Sequence, residues 1–264
     1  MTTYPTQALG VDLEPLILAV KDAGQAILDI YDTDFDVEIK GDDSPLTAAD
    51  KAANEVLMQY VQQHTSDIPV ISEENKTVAY SERKSWNKFW LIDPLDGTKE
   101  FIKKNGEFTV NIALIVEGVP ALGVVYQPTT GTLYLGISEE GSWKITSNGE
   151  ALKLEKQPHY TELSQIKVVA SRSHLSDDVV KFVEDLKAQG KEVDFISAGS
   201  SLKFCLVAEG IANVYPRLGP TMEWDTGAAH AVALGAGRDV KVAFEEHRLS
   251  YNKENLLNPY FIVA

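Results

Sequence analysis

Asp93 and Asp96 stand three positions apart at the end of the apolar run Trp90-Leu91-Ile92, with Pro94 fixing the backbone between them and Gly97 permitting a tight turn after them. Two carboxylates converging on one turn suit a hard divalent cation such as Mg2+, which takes oxygen ligands and keeps several of its waters. If Gly97-Thr98-Lys99-Glu100-Phe101 opens a helix, its free N–H groups face the same point and would accept a phosphate oxygen. A turn cap accounts for one aspartate but not for two after so apolar a strand. Three further acidic groups fall at the ends of expected elements. Thr47-x-x-Asp50 has the form of a helix capping box. Ser72-Glu73-Glu74-Asn75 follows a short strand and, taken alone, reads as a solvated loop pair. Asp225, in Glu223-Trp224-Asp225-Thr226-Gly227, falls at or near a helix N-terminus, another capping position. Each has a local explanation; four acidic loops at element ends together suggest a shared cation site.

The charge balance supports that reading. Lys and Arg total 24 against 39 Asp and Glu, a net charge of −15 over 264 residues. Such a surface repels nucleic acid and anionic membrane at long range. An anionic substrate would therefore need a cation between it and the protein, which bound divalent metals would supply. Cys205 is the only cysteine, which excludes an intrachain disulfide and a thiolate-rich metal site; it sits in the apolar run Phe204 to Val207 and reads as a core residue. The N-terminal stretch has no basic region or long apolar run of a signal peptide, and no segment approaches the roughly 20 apolar residues of a membrane span. A soluble protein of a reducing compartment is expected.

The elements that must carry these groups can be read from periodicity. Leu13, Leu16, Ile17, Val20, Ile27 and Tyr31 recur at helical spacing over Leu13 to Tyr31. A second helix opens at Thr47 and reaches about His64. Ile68 to Ser72 and Phe89 to Ile92 read as short buried strands. Phe108, Val110, Ile112 and Leu114 alternate on one face, and Ala121 to Tyr126 and Thr132 to Ile137 continue an antiparallel meander through Gly- and Pro-containing turns. Beyond Gln157-Pro158-His159 strands alternate with helices: Ile166 to Ala170, Ser176 to Ala188, Val193 to Ile196, Ser201 to Glu209, Ile211 to Tyr215 and Asp225 to Leu234. This predicts an α/β chain with a metal-binding α+β part over 1–160 and a second α/β part over 161–264, or one continuous sandwich.

The motifs DSPLTAAD, SEEN, WLIDPLDGTKEF with NGEFTVNIALI, and WDTGAAHAV occur in the order used by the inositol monophosphatase superfamily, and this chain resembles its members from about Asp42 to Ala236. Within it, DGTKEFIKKNGEFTVNIALI and GSSLKFCLVAEG resemble the bacterial 3'(2'),5'-bisphosphate nucleotidases. The resemblance implies a layered sandwich of alternating α-β-α-β-α layers and a lithium-sensitive phosphatase using two or three Mg2+ ions. It implies that Glu73, Asp93 and the Leu95 carbonyl hold one ion and that Asp93, Asp96 and Asp225 hold a second, with Glu73 assisting a third. Asp50 and Thr98 would orient and deprotonate the attacking water, and Gly97 and Thr98 would present N–H groups to the phosphate. Ser171, His174, Gly199, Ser201, Lys203 and Arg217 match the stretches that hold the nucleotide; Lys203 or Arg217 would pair with the 5'-phosphate, and His174 would lie by the base or ribose. Surface placement is the plainer reading of His174 and Lys203. Glu223 adds a carboxylate to which the resemblance assigns no role; facing the substrate, it would repel a second phosphate. The implied reaction removes the 3'-phosphate of adenosine 3',5'-bisphosphate, giving AMP, with action on its sulfated relative and a place in sulfur assimilation. An inositol or sugar phosphatase of the same superfamily, or a non-catalytic cation-binding protein, are the alternatives. A small-molecule nucleotide partner, no nucleic acid, a cytoplasmic location with peripheral association at the inner membrane face left open, and a monomer or homodimer complete the expectation.

Overall fold

The computed structural model describes residues 3–33, 45–75, 78–170 and 176–264. Strands β1 (Gln7–Ala8) and β2 (Val11–Asp12) form a small hairpin that leads into α1 (Leu13–Tyr31), and α2 (Pro45–His64) follows. Then come β3 (Val70–Ser72), a single turn α3 (Tyr80–Arg83), β4 (Lys88–Asp96) and a short α4 (Thr98–Ile102). The meander β5 (Thr109–Val116), β6 (Val119–Gln127), β7 (Thr132–Ile137), β8 (Gly141–Ile145) and β9 (Ala151–Lys153) completes the first part. The second part runs β10 (Gln165–Ala170), α5 (Asp177–Ala188), β11 (Glu192–Ser197), α6 (Leu202–Ala208), β12 (Tyr215–Arg217), α7 (Glu223–Gly235), β13 (Val240–Val242) and β14 (Phe261–Val263).

β3 to β9 pair in sequence order into a seven-stranded sheet, parallel at β3–β4 and antiparallel elsewhere. Both of its faces are apolar, which is why β5 lacks a wet side. Val110, Ile112 and Leu114 pack with Trp90 and Ile92 into a core shared with α1 and α2. Ala113, Ile115, Phe89 and Leu91 pack on the other side against Ala228, Ala229 and Val232 of α7. Beyond α6 and α7 lie the sheet β12-β14-β13 and the parallel pair β10–β11, and α5 covers these with Phe182, Val183 and Leu186 on Ile166 and Val168. The order is helices, large sheet, helices, small sheets, helix: the five alternating layers that the family resemblance implies.

α7 sits unusually low on the sheet. A Cβ on Gly123 would lie 2.2 Å from the Ala228 carbonyl oxygen, and one on Gly136 would lie 2.4 Å from Val232 Cα, so only hydrogen at those strand positions admits the helix backbone. The alanine-rich face of α7 has the matching shape. Since α7 carries Asp225 in its first turn, this contact fixes how far that carboxylate stands from β4.

The structure departs from the expected elements in a few places. α2 starts at Pro45, whose missing N–H is harmless in a first turn, so Thr47 and Asp50 lie inside the helix and the capping-box reading of that pair fails. Residues 211–213 do not form a strand; the chain turns off the end of α6, Ala212 N–H donating to Leu206 O, and pairing begins with a parallel bridge from Val214 to Val168 just before β12. β4 continues past Ile92 to Asp96, with a register shift between Asp93 and Asp96 where Pro94 has no N–H to give.

Candidate active site

Strand β4 supplies the centre of the site. Asp93 pairs with Asn111 and Asp96 with Thr109, and the bulge between them throws the two carboxylates out of simple alternation. Asp93 is 1% exposed, and its Oδ1 accepts the Leu95 N–H at 3.1 Å, so it does brace its own turn. Leu95 itself buries its side chain in the α1–α2 core, which anchors the turn from below. Gly97 follows at φ 96°, a left-handed conformation that suits glycine, and Thr98 then opens α4.

Other elements deliver the remaining carboxylates to this point. Glu73 follows β3, its N–H bonded to Ile92 O, so the parallel pairing with β4 places it beside Asp93. Asp225 arrives on α7, where one oxygen caps the helix by accepting Met222 N–H at 2.9 Å. Glu73, Asp93 and Asp225 each present a carboxylate oxygen, all within 4.8 Å of one another. The three residues are 20 and 132 positions apart in sequence (93 − 73 and 225 − 93). Asp96 faces the same cluster but has one oxygen already engaged: Oδ2 accepts both Ser200 Oγ and Ser201 N–H at 2.6 Å. Asp50, on the second turn of α2, is 8% exposed and lies in the field of Glu73 and Glu74.

Electrostatics sets this group apart from an ordinary acidic surface. Burial, then Asp96, Glu73, Asp225 and Asp50 in turn, push the Asp93 carboxyl well above the usual carboxylate range. Burial and then Asp96 push Asp225 up to about 7; burial with Glu74 and Glu73 pushes Asp50 up to about 8. Glu73 is raised by burial and by Asp96. Asp96 is raised by burial, an effect opposed by the Ser200 hydrogen bond and the Lys203 charge. Among the described residues no Lys or Arg forms an ion pair with Glu73, Asp93 or Asp225. Carboxylates crowded this closely, with Asp93 buried, Asp225 half-buried and Glu73 at the exposed side, resist ionising together near neutral pH without a cation; a divalent metal with oxygen ligands is the group this donor set fits.

A cleft of about 270 Å³ is lined by Asp96 and Asp225 of this group, with Gly97, Thr98, Ser200, Lys203, Tyr215 and Arg217. Arg217 donates through Nη2 to Pro220 O, while its Nε is buried without a protein partner. Lys203 is not a solvated helix residue: it is 6% exposed, with Nζ donating to Ser200 O at 2.6 Å. Burial lowers its ammonium to about 8, an effect the Asp96 charge opposes. Ser201 is also buried, its hydroxyl donating to Asn111 Oδ1. Gly199 packs behind the cleft, its N–H donating to Glu107 Oε2. Ser171 and His174 lie outside the described residues, as do Asp42 to Ser44 of the first acidic motif. Cys205 is buried in the core as expected.

Glu223 does not face a substrate phosphate: it is fully buried and paired with Lys253 at 2.5 Å. Sequence reasoning passed over Thr109 and Asn111, and placed Ser200 only within the stretch matched to nucleotide binding. Thr109 Oγ1 meets Ser200 Oγ at 2.5 Å and Ser201 Oγ at 2.9 Å, linking β5 to the loop that holds Asp96. The signal available was two polar residues at the off-face positions of an otherwise apolar strand.

A five-layer fold with carboxylates of three elements converging at one mouth of a cleft defines the class: the chain belongs to the inositol monophosphatase family, whose sequence profile matches residues 12–260. It is 46% identical over 255 residues to the 3'(2'),5'-bisphosphate nucleotidase CysQ of Escherichia coli (strain K12), and to that of Salmonella typhimurium, covering 96% of this chain and 99% of each relative. The crystal structure of CysQ from Bacteroides thetaiotaomicron superposes with a TM-score of 0.84 at 44% identity, over 95% of this chain and 96% of that one. An inositol monophosphatase from Zymomonas mobilis shares the fold at 20% identity, with a TM-score of 0.73.

Proposed function

We propose that this chain is a 3'(2'),5'-bisphosphate nucleotidase that hydrolyses the 3'-phosphate of adenosine 3',5'-bisphosphate to AMP and phosphate, with 3'-phosphoadenylyl sulfate as a related substrate. One observation carries the reading: the Glu73–Asp93–Asp225 carboxylate cluster adjoins, through Asp225, a cleft that is also lined by Asp96 and by two cationic side chains, Lys203 and Arg217. A substrate with two separate phosphates matches that arrangement, one phosphate reached through metal and the other through a guanidinium. The 46% identity to CysQ nucleotidases over nearly the full length supports the same choice.

Glu73, Asp93, Asp96, Asp225 and the Leu95 carbonyl are the groups that would hold Mg2+, in two or three sites. Bound there, the metal would neutralise phosphate charge and lower the pKa of a coordinated water. The protein's own part is positioning and proton handling. Asp50, which would ionise once metal offsets the neighbouring carboxylate charge, accepts a proton from the attacking water, with Thr98 orienting that water through its hydroxyl. Water oxygen bonds to phosphorus in line with the departing ribose O3', the P–O3' bond breaks, O3' takes up a proton from solvent water, and Asp50 later returns its own proton to solvent. Gly97 and Thr98 line the floor over which the phosphate lies. Arg217, with its uncommitted Nε, receives the 5'-phosphate; Lys203 acts through Ser200, holding the loop that engages Asp96.

Steady-state rates on adenosine 3',5'-bisphosphate and inositol 1-phosphate, with Mg2+ present, test the proposal. The bisphosphate should be strongly preferred. A preference for inositol phosphate would assign an inositol phosphatase instead, and Mg2+ binding with no phosphate released from any phosphomonoester would leave a cation-binding protein without turnover. Among the described residues no helix is long and apolar enough to cross a membrane.

A further inference from the structure

Glu223 opens α7 two residues before Asp225, and its carboxylate is wholly buried. Oε1 accepts Lys253 N–H at 3.0 Å and Lys253 Nζ at 2.5 Å; Oε2 accepts Asn252 N–H at 2.7 Å. Lys253 Nζ also donates to Asn258 Oδ1, and Asn258 Nδ2 donates to Met222 O at 2.8 Å and Thr226 Oγ1 at 3.1 Å. Bonds from one segment, residues 250–258, therefore land on both sides of Asp225. The same segment is locked at its other side by Arg83. That guanidinium is 2% exposed and donates to Asn252 Oδ1, Lys253 O and Glu254 O, while Asn252 Nδ2 donates back to Arg83 O. Arg83 and Glu73 line one small cavity together with Trp224, the neighbour of Asp225.

None of Arg83, Glu223, Asn252, Lys253 and Asn258 lines the substrate cleft. Their arrangement is nevertheless dense in charge for a place that packing alone could fill. A wholly buried carboxylate is costly unless its partner and hydrogen bonds are well placed, and an apolar residue at 223 would avoid that cost. What an ion pair supplies and an apolar contact does not is direction: it fixes the rotation of the first turn of α7, and so where Asp225 points. We propose that residues 250–258 are a positioning clasp which, through the Lys253–Glu223 pair and the Asn252–Arg83 exchange, holds Asp225 against Glu73 and Asp93 and thereby sets the affinity of the site for its divalent metal. The inference rests on the metal-dependent reading given above and assigns no new group to the chemistry.

Two variants test it on the full chain. Asn252→Gly removes the amide bridge at a position whose φ of 66° glycine tolerates, and Glu223→Gln/Lys253→Met removes the charges as a pair without stranding either one. Mg2+ affinity is measured by calorimetry without substrate, and in parallel by the Mg2+ dependence of adenosine 3',5'-bisphosphate hydrolysis. Both readouts should weaken about tenfold, the size found for supporting partners of metal ligands. KM for the nucleotide should stay at the wild-type value once Mg2+ is saturating, with kcat largely restored. Lys253→Arg, which keeps the charge, should lie closer to wild type. Cooperatively folded variants that bind Mg2+ as the wild type does, even with lowered melting temperatures, would show that the segment merely stabilises the fold and would overturn the clasp. If the wild type binds Mg2+ but does not release phosphate from the bisphosphate, the nucleotidase reading fails while the calorimetric comparison still judges the clasp. A wild type that binds no Mg2+ would overturn both.

Discussion

The carboxylate cluster makes metal and proton compete for the same oxygens, and the competition should be visible in stability. Asp225 rises from 3.8 to about 7 on folding and Asp50 from 3.8 to about 8, both chiefly through burial. A carboxyl raised in this way contributes stability that is fully present below pH 3.8 and is lost as pH climbs through its folded value. In EDTA, each such group should thus remove about 1.4 kcal/mol per pH unit between those limits. From pH 5.5 to pH 7.0 two groups would remove on the order of 4 kcal/mol. Allowing half of that for solvent screening, and about 2–4 °C per kcal/mol for a chain near this size, gives a change on the order of 5 °C. The assay is thermal unfolding from pH 5.5 to 7.5 in EDTA and in excess Mg2+, read as the difference between the two melting temperatures, which cancels every titration elsewhere in the molecule. Mg2+ should stabilise more at the alkaline end, the difference widening by that amount. Calorimetry at pH 6.5 in buffers of unlike ionisation enthalpy should show one to two protons released on metal binding. A difference in melting temperature that stays flat or narrows with pH, or binding without proton release, would mean that the metal does not draw protons from these carboxyls.

Asp93→Asn should abolish phosphate release while raising the melting temperature in EDTA at pH 7.5, because it replaces a buried ionisable carboxyl among like charges with a neutral amide; near-wild-type turnover would remove Asp93 from the metal site. Arg217→Ala should raise KM for the bisphosphate about tenfold or more and leave hydrolysis of a nucleotide with a single phosphate nearly unchanged, since a charge-assisted contact to the second phosphate is what it loses. Gly136→Ala, whose methyl would collide with Val232 of α7, should cost about 1–3 kcal/mol in denaturant unfolding and weaken Mg2+ binding by displacing Asp225; an unchanged midpoint would contradict the close seating of that helix.

How far the sequence could be read depended on the range of the interaction concerned. Leu13 to Tyr31 carries five turns of periodic apolar residues, and the helix has those bounds. The two aspartates of β4 declared themselves because carboxylates after Trp90-Leu91-Ile92 have no local reason to be there. Asp50 was misjudged as a capping partner, although Pro45, a favoured first-turn residue, was in view to place the helix start earlier. β8 and β9 are five and three residues long, and β13 and β14 three each, too short for a period to register. The burial of Lys203 and the left-handed Ser200 depend on β4 and β5 lying against a loop about a hundred residues away. Arg83 reaching residues 252–254 is more distant still. No spacing rule reports such contacts; the polar pair Thr109 and Asn111 was the one local trace of them.

The Arg83–Lys253 connection also bears on the order in which the molecule can be made. A ribosome delivers Glu73 and Asp93 early, Asp225 much later, and the segment that braces Asp225 later again. While residues 250–258 are still in the tunnel, a chain with its large sheet already formed has α7 tethered at one end only. Metal capture at full strength would then be among the final events of folding, and the ion would report that synthesis has passed Asn258.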